Sequence, residues 1–171
     1  MSEKILETER LSIVEAEITD SVFIYTLLNS RNWIKYIGDR EINTLEDAER
    51  YIENSLFASY DRFGFGLYKV VLKSENKPIG LCGFLKRKEL QHPDLGFAIL
   101  PRFEGQGITS EASKAMLNHG FTKLNMKTVL GITTELNKAS QRVLSKTGLS
   151  KAGTTRLAGG EELLLYQVTN D

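Results

Sequence analysis

The sequence predicts a mixed α/β fold built round a sheet that is largely antiparallel. Three observations carry this expectation. Short alternating or apolar runs follow one another through the middle of the chain with polar turns between them, as antiparallel strands do. Helical spacing with capping residues appears before these runs and again after them. The C-terminal end holds two further strand-like runs about Ala158-Gly159-Gly160, a hairpin signal. The order is β-α-α-β-β-β-α-β-α-β-β, giving about seven strands and about four helices.

The elements justify themselves in turn. Arg10 to Ala16 alternates and is short, so it opens as a strand. Thr19 or Asp20 can cap a helix through Val22, Phe23 and Leu28. Arg31 to Ile42 is irregular and carries Trp33, Tyr36, Gly38 and Asp39. Thr44-Leu45-Glu46-Asp47 reads as a capping box, and Ala48, Tyr51, Ile52, Ser55 and Leu56 keep helical spacing to about Tyr60. Gly66 to Leu72 and Lys77 to Lys86 are strands joined by a polar turn at 74–78. Asp94 to Leu100 is another, stopped by Pro101. A glycine-containing loop leads into a helix from Ile108 to Lys123, and Val129 to Thr134 returns as a strand. Asn137 to Lys146 is a helix ended by Gly148, a left-handed cap. Leu149 to Leu157 and Glu162 to Val168 flank the final turn.

The chain of 171 residues suits a single domain, 1–171, with a core of its own. Basic and acidic residues both number 22, so no broad basic footprint marks a general nucleic-acid partner. The amino terminus lacks the apolar core of a signal peptide, and no run reaches the roughly 20 apolar residues that span a bilayer. A lone cysteine, Cys82, forms no internal disulfide. These absences lead to an expected place in the cytoplasm, without a membrane partner. Cys82 lies inside an apolar strand and reads as core; His92 and His119 are too isolated to hold a metal, so none is expected.

Leu95 to Ala112 is the most informative segment: a strand, a turn with Gly105 and Gly107, and an immediate helix start. Glycines let backbone N–H groups turn inward, and a helix start adds free donors and partial positive charge, which suits a pyrophosphate. Taken alone, the same pattern serves plain turn chemistry. Gly107-Ile108-Thr109 lacks the lysine of a Walker loop, and Ser110 stands where a dinucleotide fingerprint needs its third glycine.

Together with 137–149, Asn43 to Ala48 and Ile79-Gly80-Leu81-Cys82-Gly83, this segment resembles the GNAT acetyltransferases. The branch it looks most like includes the ribosomal-protein N-terminal acetyltransferases. The resemblance implies the GNAT fold, a twisted mixed sheet splayed between its fourth and fifth strands. It also implies acetyl-CoA as co-substrate, with pantetheine against the backbone of Phe97 and Ile99. The family's pyrophosphate loop fits in two registers. One runs Arg102-x-x-Gly105-x-Gly107; the other runs Glu104-x-x-Gly107-x-Thr109. The second is preferred, because it leaves Pro101 at the strand end and Ser110-Glu111-Ala112 where the branch has Thr-Glu-Ala. Glu104, Gly105, Gln106, Gly107, Ile108 and Thr109 are therefore the expected phosphate cradle. Asn137 is expected to cap its helix and to contact the cofactor.

Asp94 stands where the family often carries an acid that takes the amine proton through water; otherwise it is a solvated strand-edge carboxylate. The family's usual tyrosine acid falls on Leu144, so Ser140, one turn earlier, is the candidate donor to the leaving thiolate; otherwise it is a helix-surface serine. Trp33 and Tyr36, with Asp39 and Arg40, fall in the segment that walls the acceptor pocket, or form a packed loop. Lys86-Arg87-Lys88 reads as a solvated turn, or as a patch that steers an acidic acceptor. The expected activity is N-acetylation of a primary amine, on a protein N-terminus or a small molecule, by direct attack in a ternary complex. A silent acyl-CoA-binding or sensor domain is the alternative. The expected assembly is a monomer or homodimer.

Overall fold

The computed structural model describes residues 3–171. Its strands are β1 (Lys4–Glu7), β2 (Leu11–Val14), β3 (Leu67–Leu72), β4 (Lys77–Leu85), β5 (Asp94–Ile99), β6 (Thr128–Thr133), β7 (Ser150–Arg156) and β8 (Glu162–Thr169). Its helices are α1 (Ser21–Leu28), α2 (Leu45–Tyr51), α3 (Ala58–Phe63), α4 (Ile108–Thr122) and α5 (Lys138–Thr147). The eight strands form one sheet in the order β1-β2-β3-β4-β5-β6-β8-β7. Every neighbouring pair is antiparallel except β5 and β6. The strand beyond the expected seven is β1, a four-residue edge strand whose charged ends face water.

Local chemistry accounts for most of the element ends. Thr44 Oγ1 accepts from the Asp47 N–H at 3.0 Å, and the Asp47 carboxyl accepts from the Thr44 N–H at 3.0 Å, closing the capping box. Gly148 ends α5 with φ of 113°. At α1 the expected cap is absent. Asp20 precedes the helix, but its carboxylate accepts from the Glu17 N–H and grips buried Lys69 at 2.8 Å instead. Burying the lysine requires a paired anion, and that demand outweighs a helix cap.

The helix expected over 44–60 is continuous from α2 to α3 through a π-helical stretch, Ile52–Phe57. A second π-helical turn, Trp33–Ile37, lies in the segment expected to be irregular. Single π turns widen a helix and re-aim its side chains. Both stretches carry residues that line the cleft described below.

Two apolar clusters sandwich the sheet. Leu27, Leu28, Trp33, Ile52, Leu56 and Leu81 pack the α1/α2 side. Tyr68, Phe84, Met116, Leu144 and Tyr166 pack the α4/α5 side. The central strand β4 is buried on both faces, which explains its unbroken apolar run. Cys82 belongs to this core: it is 1% exposed, and burial pushes its thiol up to about 12. Among the described residues no helix is long and apolar enough to cross a membrane.

Candidate active site

The site begins where the sheet comes apart. β5 and β6 are in register at Asp94↔Leu130 alone, joined there by a bond from the Leu130 N–H to the Pro93 carbonyl. Beyond that point β5 continues to Ile99 with β4 on one side and a cleft on the other. The Leu100 N–H donates to the Ile79 carbonyl across β4 at 2.8 Å. Antiparallel bonding alternates, so the backbone groups of Phe97 and Ile99 point the opposite way, towards the cleft. An unpaired strand edge of this kind fits an extended ligand that carries amides.

The cleft encloses about 980 Å³. Its far end is the glycine loop. Pro101–Phe103 makes a tight turn, Glu104 follows, and Gly105 adopts φ of 74°. Gly107, at φ of 77°, is the N-cap of α4, a conformation that side-chain-bearing residues rarely adopt. No side chain caps α4, so the N–H groups of Ile108, Thr109 and Ser110 have no intrahelical acceptor. Glu104, Gly105, Gly107, Ile108 and Thr109 all line the cleft. Gln106 does not; its carbonyl turns out to the Arg10 guanidinium at 3.0 Å and its side chain to the Arg102 carbonyl. Arg10 also holds Glu111, on the first turn of α4, at 2.7 Å, while the Thr8 hydroxyl donates to the same carboxylate. The loop is thereby braced from outside by the β1–β2 turn.

The wall opposite β5 is α5. Asn137 caps it, accepting from the Ser140 N–H at 3.1 Å, and both residues line the cleft. The Ser140 hydroxyl makes no hydrogen bond among the described residues, which leaves it available to a ligand. Lys138, Arg142 and Lys146 stand four residues apart and form one basic stripe along the cleft. Leu144 faces the other way. It is fully buried against Gly131, where any Cβ would come within 2.6 Å of its Cδ2.

The near end holds Asp94 and the acceptor-side segment. Asp94 is 1% exposed, so it is not the solvated edge carboxylate that its position after His92-Pro93 allowed. Arg87 Nε donates to its Oδ1 at 3.0 Å. Burial pushes the Asp94 carboxyl above the usual range, and the Arg87 charge and hydrogen bond partly offset this. Trp33, Tyr36, Arg40, Tyr51 and Ser55 complete this end. Asn32 Nδ2 donates to the Glu104 carboxylate at 2.6 Å, joining the near wall to the glycine loop.

Sequence reasoning missed Tyr51, Arg10 and the basic stripe on α5; it placed Arg87 in a basic turn but not on Asp94. For Arg87 a signal existed. The β4–β5 hairpin pairs Leu85 with Asp94, so a basic residue two positions past Leu85 falls within reach of that acid.

The cleft carries five cationic side chains against two carboxylates, in a chain with no net charge, as a phosphate-rich ligand requires. Comparison with known proteins agrees with this chemistry. The family described as "Acetyltransferase (GNAT) domain" matches residues 10–150. An uncharacterized N-acetyltransferase of Bacillus subtilis, YnaD, is 28% identical over 86% of this chain and 84% of its own length. The ribosomal-protein-S5-alanine acetyltransferase of Vibrio fischeri shares the fold with a TM-score of 0.78 at 21% identity, covering 100% of this chain and 97% of that one. RimL, a ribosomal L7/L12 α-N-protein acetyltransferase solved with coenzyme A, gives 0.83 at 17% identity over 98% of both chains. With the splayed sheet, the glycine loop and a family match over most of its length, the chain belongs to the GNAT acetyltransferases, enzymes that use acetyl-CoA.

Proposed function

We propose that the whole chain, 1–171, is one acetyltransferase domain that moves an acetyl group from acetyl-CoA to a primary amine by direct attack in a ternary complex. The observation that carries this is the free edge of β5, which runs from buried Asp94 to the glycine loop along a single cleft. The backbone of Phe97 and Ile99 holds the pantetheine amides as a further strand would. The N–H groups from Gly105 to Thr109 hold the pyrophosphate, and Lys138, Arg142 and Lys146 offset the remaining phosphate charge. Asn137 holds α5 in place beside that chain.

The chemistry then falls to few groups. Asp94, ionised, accepts the amine proton through water. The amine nitrogen bonds the thioester carbon, a backbone N–H of β5 faces the oxyanion, and the carbon–sulfur bond breaks. The Ser140 hydroxyl donates to the departing sulfur and is reprotonated from solvent. Trp33 and Tyr36 wall the acceptor. The ribosomal-protein acetyltransferases among the structural neighbours make a protein N-terminus one candidate acceptor, and a small amine is the other.

The test is thiol release from acetyl-CoA across a panel of amines, with the acetylated product weighed by mass spectrometry. Turnover with at least one amine is the expected result. Tight acetyl-CoA binding with no turnover on any amine would instead establish the silent sensor reading, which a leucine at 144 in place of the family's tyrosine favours.

A further inference from the structure

The near end of the cleft is more positive than an amine alone can use. Arg40 lines it and forms no ion pair or hydrogen bond among the described residues. Asp39 and Glu41 flank Arg40 in the chain, but neither lines the cleft, and the Asp39 carboxylate instead accepts from the Glu41 N–H. Arg87 spends its Nε on Asp94, and its two terminal nitrogens make no hydrogen bond among the described residues. Arg40, Arg87 and Tyr51 all line this cleft, and both guanidinium charges counter the effect of burial on the Tyr51 hydroxyl. Of the two acids lining the cleft among the described residues, Asp94 is already held by Arg87 and Glu104 by Asn32. Trp33 adds a buried indole N–H with no acceptor.

These groups are donors and cations gathered at the place where a cationic substrate has to arrive. A protonated amine with no other charge is repelled there. An amine that carries its own anion satisfies the spare donors, and the same positive field favours the neutral, nucleophilic form of its nitrogen. We propose that the acceptor is a small amine with a carboxylate or phosphonate beside the amino group, as in a free amino acid, and that Arg40 together with the free end of Arg87 binds this anion. The inference rests on the acyl-transfer reading above and narrows its acceptor class.

The experiment compares free amino acids, their amides, the matching α-aminophosphonates, short peptides and a polyamine as acceptors. An amide has the less basic amine, so reactivity alone favours it over the free acid. The expected result is the reverse, with kcat/KM for the acid at least about tenfold above that for its amide. The aminophosphonates decide which anion the site prefers. Arg40→Gln should raise KM for the acid and bring the ratio to within about threefold of unity. Its undiminished acetyl-CoA thermal shift would certify the fold. Preference for amides, peptides or the polyamine, or an unchanged ratio in Arg40→Gln, would overturn the inference and leave acyl transfer standing. Binding of acetyl-CoA with no turnover on any amine would remove both.

Discussion

The two ends of the cleft are built from different materials. The end proposed to hold the cofactor is made of backbone: the β5 edge, the N–H groups at the start of α4, and two glycines at positive φ. The end proposed to take the acceptor is made of side chains brought from separate elements: Trp33 and Arg40 before α2, Tyr51 at its end, Arg87 after β4 and Asp94 on β5. A backbone cradle depends less on the side chains around it, so Thr109, and Glu104 with its carboxylate held by Asn32, can stand where the family has other residues. A side-chain pocket changes its preference with each substitution. Variants of the first end should therefore change acetyl-CoA affinity, and those of the second should change which amine is taken and at what pH.

The largest expected effect is at the cofactor end. Acetyl-CoA should raise the melting temperature of the native protein, and ATP should do so far less. Gly107→Val should abolish the acetyl-CoA shift, because a β-branched residue strongly resists φ of 77°. Space is not the obstacle: the nearest atom to a new Cβ is Arg10 Nη2, at 3.6 Å. A normal shift in Gly107→Val would show that the loop does not hold the phosphates by its backbone.

Next in size is Asp94, at the other end. Asp94→Asn should lower turnover about 10²- to 10⁴-fold below neutral pH, with acetyl-CoA affinity kept. The loss should shrink as pH approaches the acceptor's own pKa, near 8 for a terminal α-amine and about 10.4 for a lysine. In the wild type the base must be ionised, and burial raises the pH at which that happens. Activity should accordingly fall as pH drops through that raised value. Arg87→Gln removes the group that offsets burial, so the acid limb should move to still higher pH. A loss that ignores pH would make Asp94 a positioning residue. The smallest effect belongs to Ser140, which lies on the wall shared by both ends. Ser140→Ala should cost about 10- to 100-fold in turnover with acetyl-CoA binding nearly unchanged. Full turnover on the true acceptor would take its hydroxyl out of the chemistry.

The same contrast explains what the sequence disclosed. Gly105, Gly107, Asn137 and Thr44 act through bonds a few residues long, so their signals are local and their elements legible. Arg87 was not, because its meaning depends on a hairpin register that folds it back on Asp94. Tyr51 reads as helical core, and its place on the cleft wall is set by how α2 docks on the sheet, which its spacing alone does not show. Gln106 sits between two cradle glycines, yet its carbonyl turns out to Arg10, which a linear motif cannot show. The edge strand β1 has four residues and few apolar ones, too little for a period to register. Asp20 shows a competing demand: a buried lysine 49 positions along the chain, Lys69, claims the carboxylate that the helix start asks for.

The hydrogen bond from Asn32 to Glu104 ties together the histories of the two ends. A carboxylate on a phosphate loop repels the ligand unless something turns it aside, and Asn32 does so from the acceptor wall. An acid at position 104 thus depends in this chain on the amide donor at position 32. Where an ancestor or descendant has a neutral residue at 104, position 32 is released to follow the demands of a new acceptor. Two sites 72 residues apart are thereby coupled, and the expected consequence is that a substitution on the phosphate loop sets how freely amine specificity can drift.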